Sequence, residues 1–423
     1  MRSRQTRLRA ALVVVGLGAA SCRRDDSAPH APAVAAAPAA TQVRTAHQAA
    51  PAPAAPTPEA ARQALAWLRE RLRAPASDPK SPWVLAHGLL AFGKDLPTSD
   101  GRNAVQAAAS FAESHVVAGR RRYAFPAERD GQPVEPHPHL LVKTFLEVGV
   151  DRAREFRSGD GTTITLGRLL DDMVAAIREP STDADWYSAA WWLAAVEMDV
   201  AGRAAKPLPG GLDLPRVRLA ALSRLEADDA PLATLGRDGL PDRPALNPFA
   251  VEMPMGLAKR NKTNIYGHPC GGLHFVQAVL RSVAASGQGD LVARAGQQVR
   301  LLLSRYQAER ALYADTLRTH PSATLLVSAQ QLKFFGHLLE TLALADDLGL
   351  LSHDAELAET VSRTRRAVVA DLLSVFEALK RAHAYDRLTE LSGSQHQLYL
   401  DLIGDGCHAA HGLSATLPLL DAR

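Results

Sequence analysis

The stretch 335-FGHLLETLALA-345 decides how this chain is read, because its pattern recurs. A Gly-His pair precedes apolar residues spaced for one face of a helix. Comparable apolar helical segments stand at 85-LAHGLLAFG-93, 137-HPHLLVKTFLEVG-149, 187-YSAAWWLAAVE-197, 270-CGGLHFVQAVL-280 and 407-CHAAHGLSATLPLL-420, mostly with His or Gly near the leucines. They lie mostly about 50 to 75 residues apart. More polar helical stretches separate them, such as 58-PEAARQALAWLRERLRA-74, where Ala64, Leu65, Leu68 and Leu72 share a face. The run 354–385 reads as one long helix or two. Alternating β-rich runs are scarce; 162-TTIT-165, after the turn 158-SGDG-161, is the best strand candidate. Six apolar helices alternating with six more polar ones is the plan of an all-α (α/α)6 toroid. In such a ring 407–413 should neighbour 83–89 or the first helices, closing it.

The phrases 137-HPHLLVKTFLEVGVD-151, 156-FRSGDGTTITLGRLLDDM-173, 266-YGHPCGGLHFVQAVL-280 and 331-QLKFFGHLLETLALA-345 resemble a family of secreted bacterial proteins. That family is related to the terpenoid cyclase and protein prenyltransferase α/α-toroid superfamily. The resemblance covers roughly residues 80–420 and implies a fold; it supplies no known reaction. The Pro/Gly-rich stretches 206-KPLPGGLDLP-215 and 236-GRDGLPDRPALNPF-249 read as an insertion-like loop within it.

The N-terminus speaks to compartment. Arg2, Arg4, Arg7 and Arg9 precede a short apolar run, ALVVVGLGAA, too short to span a bilayer, so residues 1–21 read as a secretory signal. It ends at 19-AASC-22, which resembles the lipobox of bacterial lipoproteins, with Cys22 the thiol that takes diacylglycerol. Arg23 in place of Asp implies, by the same resemblance, an outer-membrane anchor facing the periplasm. Removing the four signal arginines turns the formal charge of +3 into −1. No Lys/Arg stripe interleaved with aromatics remains, which argues against nucleic acid. Residues 22–58 form an Ala/Pro-rich tether with almost no large apolar side chain to offset its ordering entropy. Residues 59–423 are long enough for one large domain.

The chemistry-bearing residues gather at 266-YGHPCGGLHF-275 and 407-CH-408. Imidazole and thiolate are the preferred donors of zinc, and Cys270 and His274 share a helical face at i, i+4, so His268, Cys270 and His274 could ligate it. Resemblance adds a second set. Protein prenyltransferases hold zinc on Asp, Cys and His, with His268 standing here where they have Asp. Lanthipeptide cyclases hold it on a Cys and a later Cys-His pair, to which Cys270, Cys407 and His408 correspond, although the spacing of 137 residues is longer. Cys270 and Cys407 could equally form a disulfide or remain buried thiols. His87, His139, His337 and His411 recur at similar places in successive segments and are candidates to line a central cavity. A residue repeated in this way also serves repeated architecture, as a hydrogen-bonding group between helices.

Other signatures point away from known toroid chemistry. The string 183-DADW-186 falls short of a DxDD acid, and Asp183 or Asp185 reads as a helix N-cap. Gly271-Gly272 has no following Lys-Ser/Thr and no preceding strand, so close helix packing explains it better than phosphate binding. Asp171-Asp172 and Asp346-Asp347 are carboxylate pairs whose members diverge by about 100° on a helix, and Asp401 and Asp405 read as caps. Two functional readings stand at this point: a lipid-anchored protein binding a ligand or partner in its cavity, or an enzyme, zinc-dependent or glycan-acting.

Overall fold

The computed structural model describes residues 55–199, 208, 212–230, 232 and 272–422, all within one compact unit, Ala50–Arg423. The expected signal, Cys22, most of the expected tether, His268 and Cys270 lie outside the described residues. The fold is mostly helical and of the all-α class.

The described residues form thirteen α-helices. They are α1 (Pro58–Arg73), α2 (Pro82–Phe92), α3 (Ala104–Ala109), α4 (Leu140–Glu147), α5 (Leu166–Val174), α6 (Asp183–Met198) and α7 (Leu214–Asp229). They continue as α8 (Leu273–Ser286), α9 (Gly289–Thr319), α10 (Thr324–Asp347), α11 (Ala355–Arg381), α12 (Leu388–Ser394) and α13 (His396–Asp421).

Local chemistry sets their limits. The Thr57 hydroxyl accepts from Ala60 N, and Pro58 takes the first position of α1, where its missing N–H costs nothing. Ala64, Leu65, Leu68 and Leu72 form the buried stripe, as their spacing requires. The long run after Asp354 is a single helix, α11, started by the Asp354 carboxylate on Leu357 N. At α6 the expected cap shifts: Thr182 is the N-cap, and Asp185 is its partner three residues on, accepting from Thr182 N in a capping box. The hydroxyl satisfies the N–H group of Asp185 and the carboxylate that of Thr182.

Six short strands form three two-stranded hairpins: β1 (Glu113–Val117) with β2 (Arg120–Ala124), β3 (Glu128–Arg129) with β4 (Gln132–Pro133), and β5 (Glu155–Arg157) with β6 (Thr163–Thr165). The strand expected at 162–165 is β6. The other two hairpins have no extended apolar alternation and were not legible.

The apolar segments pack in order. Helix α2 contacts α4, α4 contacts α6, α6 contacts α8, α8 contacts α10, α10 contacts α13, and α13 returns to α2. All six repeated segments fall on these cycle helices. The others flank them: α3 on α2, α5 on α4 and α6, α7 on α8, α9 on α8 and α10, α11 on α10 and α13, and α1 on α2 and α13. The meeting expected between 407–413 and 83–89 is made, with the rings of His87 and His408 5.2 Å apart.

The seam between α10 and α13 is a close one. A Cβ on Gly336 would stand 2.8 Å from Ala409 N, and one on Gly412 would stand 2.8 Å from Leu339 Cβ. Only glycine fits at either position, and that proximity brings His337 and His408 together.

Candidate metal centre

Three histidines from three cycle helices converge. His274 is the second residue of α8, His337 lies in the middle of α10 and His408 in the middle of α13. One ring nitrogen of each lies within 4.8 Å of the others. The rings of His337 and His408 are 3.8 Å apart, and His274 lies 4.9 Å from the first and 5.2 Å from the second. His337 is fully buried, His408 2% exposed and His274 9%.

Hydrogen bonds decide what these rings offer. His337 Nδ1 lies 2.8 Å from the Lys333 carbonyl, one helical turn back. A carbonyl only accepts, so Nδ1 carries the proton and Nε2 is left with a lone pair. His408 Nδ1 lies 2.8 Å from Glu340 Oε2, and donation to that carboxylate likewise leaves Nε2 as the free donor atom. His87 repeats the pattern, with Nδ1 2.7 Å from the Trp83 carbonyl. Neither His274 Nδ1 nor His337 Nε2 has a hydrogen-bond partner, although both are buried. An unpaired buried acceptor costs free energy unless something occupies it.

The surroundings keep the His274, His337 and His87 imidazoles neutral. Burial, then the neighbouring His337 and His408, holds His274 well below the ordinary histidine pKa. Burial and His408 do the same for His337 and bring His87 down to about 3. Burial alone would raise Glu340, but His408 and His411 outweigh it and hold the carboxyl well below its usual range. Glu340 therefore stands as a buried carboxylate between His408 and His411, whose Nδ1 lies 2.9 Å from Oε1. Although burial opposes it, the Glu340 hydrogen bond raises His411. A carboxylate behind a histidine is the usual support of a metal ligand, fixing its tautomer and raising its basicity.

A wider ring of side chains holds the cluster. Trp191 of α6 tilts against His274 at 5.4 Å, and His137 stacks on Trp191 at 4.3 Å. Gln277 of α8 donates to Thr341 of α10 at 3.1 Å. Glu147 of α4 pairs with Lys143 and, at 3.1 Å, with Arg281 of α8.

The histidines expected at this site divide. His274 and His408, expected as ligands, belong to the set, and His337, expected only as a lining residue, completes it. His87 reaches His408 edge-on, and His411 touches Glu340 rather than the set. His139 is the left-handed residue ahead of α4 (φ 70°), its imidazole lowered by burial to about 4. Cys407, also expected as a ligand, does not join them. It is a buried free thiol outside the three-nitrogen group, and burial with the Glu340 and Asp405 charges pushes its pKa far above the ordinary thiol value.

The carboxylates are structural. Asp171 pairs with Arg152 at 3.1 Å, Asp172 with Arg168 at 2.7 Å, and Asp346 with Arg365 at 3.0 Å. Asp401 and Asp405 are not caps; they face Lys333 within α13, at 3.0 and 3.4 Å. Glu340 escaped the sequence reading. Its signal was present in the one-turn spacings 337-HLLE-340 and 408-HAAH-411 on neighbouring helices.

No protein-family model matches this chain, and neither a curated protein nor a solved structure does.

Proposed function

We propose that this protein is a lipid-anchored α/α-toroid of the cell envelope that binds a divalent transition-metal ion, of the zinc class, on His274, His337 and His408. The cycle helices are then the inner layer of the toroid and the flanking helices its outer layer. The observation that carries the metal reading is the convergence of three buried imidazoles with free lone pairs, two of their nitrogens lacking any hydrogen-bond partner. Nitrogens sharing a tetrahedral zinc at about 2.0 Å lie roughly 3.3 Å apart, so binding would draw the rings together. Three protein ligands leave a fourth position for water or a ligand, as catalytic zinc sites do and closed structural sites do not. That opening favours the zinc-dependent reading over the glycan-acting one, since Asp171, Asp172 and Asp346 are each engaged by an arginine.

Elemental analysis of the purified intact chain tests the metal centre. About one divalent metal ion per chain is expected, and His337→Ala and His408→Ala should each lose it while keeping a helical circular dichroism spectrum. A parent that carries no metal and takes up none from added zinc would leave these histidines as packing groups. The anchor is tested separately. Cys22→Ala should release the protein from membranes or leave an unprocessed precursor, and normal processing with unchanged membrane partition defeats that part of the reading.

A further inference from the structure

The β1–β2 hairpin carries a surface that neither the fold nor the metal centre uses. Its two strands pair Val117 with Arg120, Val116 with Arg121 and His115 with Arg122. The turn residues Ala118 (φ 50°) and Gly119 (φ 74°) are both left-handed, as a two-residue hairpin turn requires when strands twist right-handedly. The base is tied down. Tyr123 N donates to Asp172 at 2.9 Å, Arg168 donates to the Arg121 carbonyl, and Glu113 pairs with Arg129 at 2.8 Å. The tip is therefore held out on a fixed arm.

That tip combines two unusual features. Among the described residues three large hydrophobics are exposed, and two of them are here: Val116 at 73% and Val117 at 48%. Across from them, Arg120 and Arg121 are exposed and Arg122 is half-buried. No ion pair or hydrogen bond among the described residues engages these three guanidinium groups. Other arginines, such as Arg152, Arg218 and Arg281, are paired with carboxylates.

The geometry points to this hairpin as a docking element for an anionic lipid surface. Headgroup phosphates accept from guanidinium donors, and the boundary of headgroups and acyl chains takes the valines out of water. Each requirement of the tip is met by one partner. A nucleic acid would satisfy the arginines and leave Val116 and Val117 in water, with no aromatic side chain at the tip to stack on bases. The inference is independent of the metal centre and of any lipid on Cys22.

Sedimentation of the intact chain with phosphatidylcholine vesicles, with and without phosphatidylglycerol, provides the test. The segment before residue 55 is the same in every variant, so differences between variants report the hairpin. A basic residue near an anionic surface contributes about fivefold in partition, and Arg120→Gln/Arg121→Gln/Arg122→Gln should lower binding to anionic vesicles roughly a hundredfold. Binding to neutral vesicles should stay as in the parent. Val116→Ser/Val117→Ser should also weaken binding to anionic vesicles, and its effect should persist in high salt, where the arginine effect fades. Both variants change exposed side chains apart from the half-buried Arg122, and an unchanged circular dichroism spectrum verifies that they fold. Parent-like binding of the triple Gln variant to anionic vesicles overturns the proposal. So does a variant that loses affinity for an oligonucleotide while keeping its affinity for vesicles.

Discussion

Helices α10 and α11 follow one another in the chain and are built on opposite principles. Helix α11 buries mainly an apolar stripe that includes Leu357, Val361, Val368, Leu372, Val375 and Leu379, and it sends charges such as Arg363 and Glu377 to solvent. Packing alone accounts for it. Helix α10 is buried nearly all round and takes Ser328, Lys333, His337, Glu340 and Thr341 inside with its leucines. Burying such groups costs free energy unless each finds a partner, so they must be satisfied by one another or by something bound. Where a fold accepts that cost, its chemistry is to be sought.

The largest expected effect breaks this contrast at its centre. Glu340→Ala removes the carboxylate shared by His408 and His411 and leaves the buried His408 and the half-buried His411 without that partner. Loss of one partner from a buried ionic network costs roughly 3–5 kcal/mol. Urea denaturation should show a loss on that scale. A change below about 1 kcal/mol would mean that the network does not hold the seam.

The next effect concerns pH at the start of a cycle helix. Glu135 is buried, its Oε1 accepting from Leu141 N at 2.8 Å, and burial raises its carboxyl from 4.5 to about 8. Between those values the native state binds a proton that the unfolded state has released. Its contribution is therefore fully present below about 4.5 and is lost as pH rises through about 8. Glu135→Gln should flatten the fall in stability between pH 5 and about 8, measured as urea midpoints of parent and variant; parallel curves would refute the assignment.

The comparison is sharpened by one substitution made in both kinds of helix. Gly336→Ala in α10 drives a Cβ to 2.8 Å from the Ala409 backbone and should cost about 1–3 kcal/mol. Gly296→Ala in α9 meets only Leu357 Cδ2 at 3.5 Å. There the better helix propensity of alanine should win by up to about 1 kcal/mol. Opposite signs in thermal melts are expected. The same sign at both sites would remove the distinction between the seam and the flanking layer.

Much of the frame could be read beforehand from particular residues. The stripe Ala64, Leu65, Leu68, Leu72 was written in helical spacing, and so was the run of α11. His274 and His408 were marked as ligands and His337 as a lining residue. Glu340 was missed because a glutamate on a helix is ordinarily solvated, and nothing local says that Ala409 comes close enough across the seam to bury it. Cys407 lies outside the histidine group, and nothing in its local sequence signals that.

The sequence by itself determined the helices, since capping groups, glycine punctuation and apolar periodicity act within a few residues of one another. It also determined which six segments are apolar enough to pack among other helices. Only the tertiary structure decided that His274, His337 and His408 meet, that Glu340 stands behind them, and that Arg120, Arg121 and Arg122 rise unpaired beside two exposed valines. Helix formation is governed by spacings of three or four residues. A site assembled from α8, α10 and α13 depends on interhelical distances, and those are set by the whole packed chain.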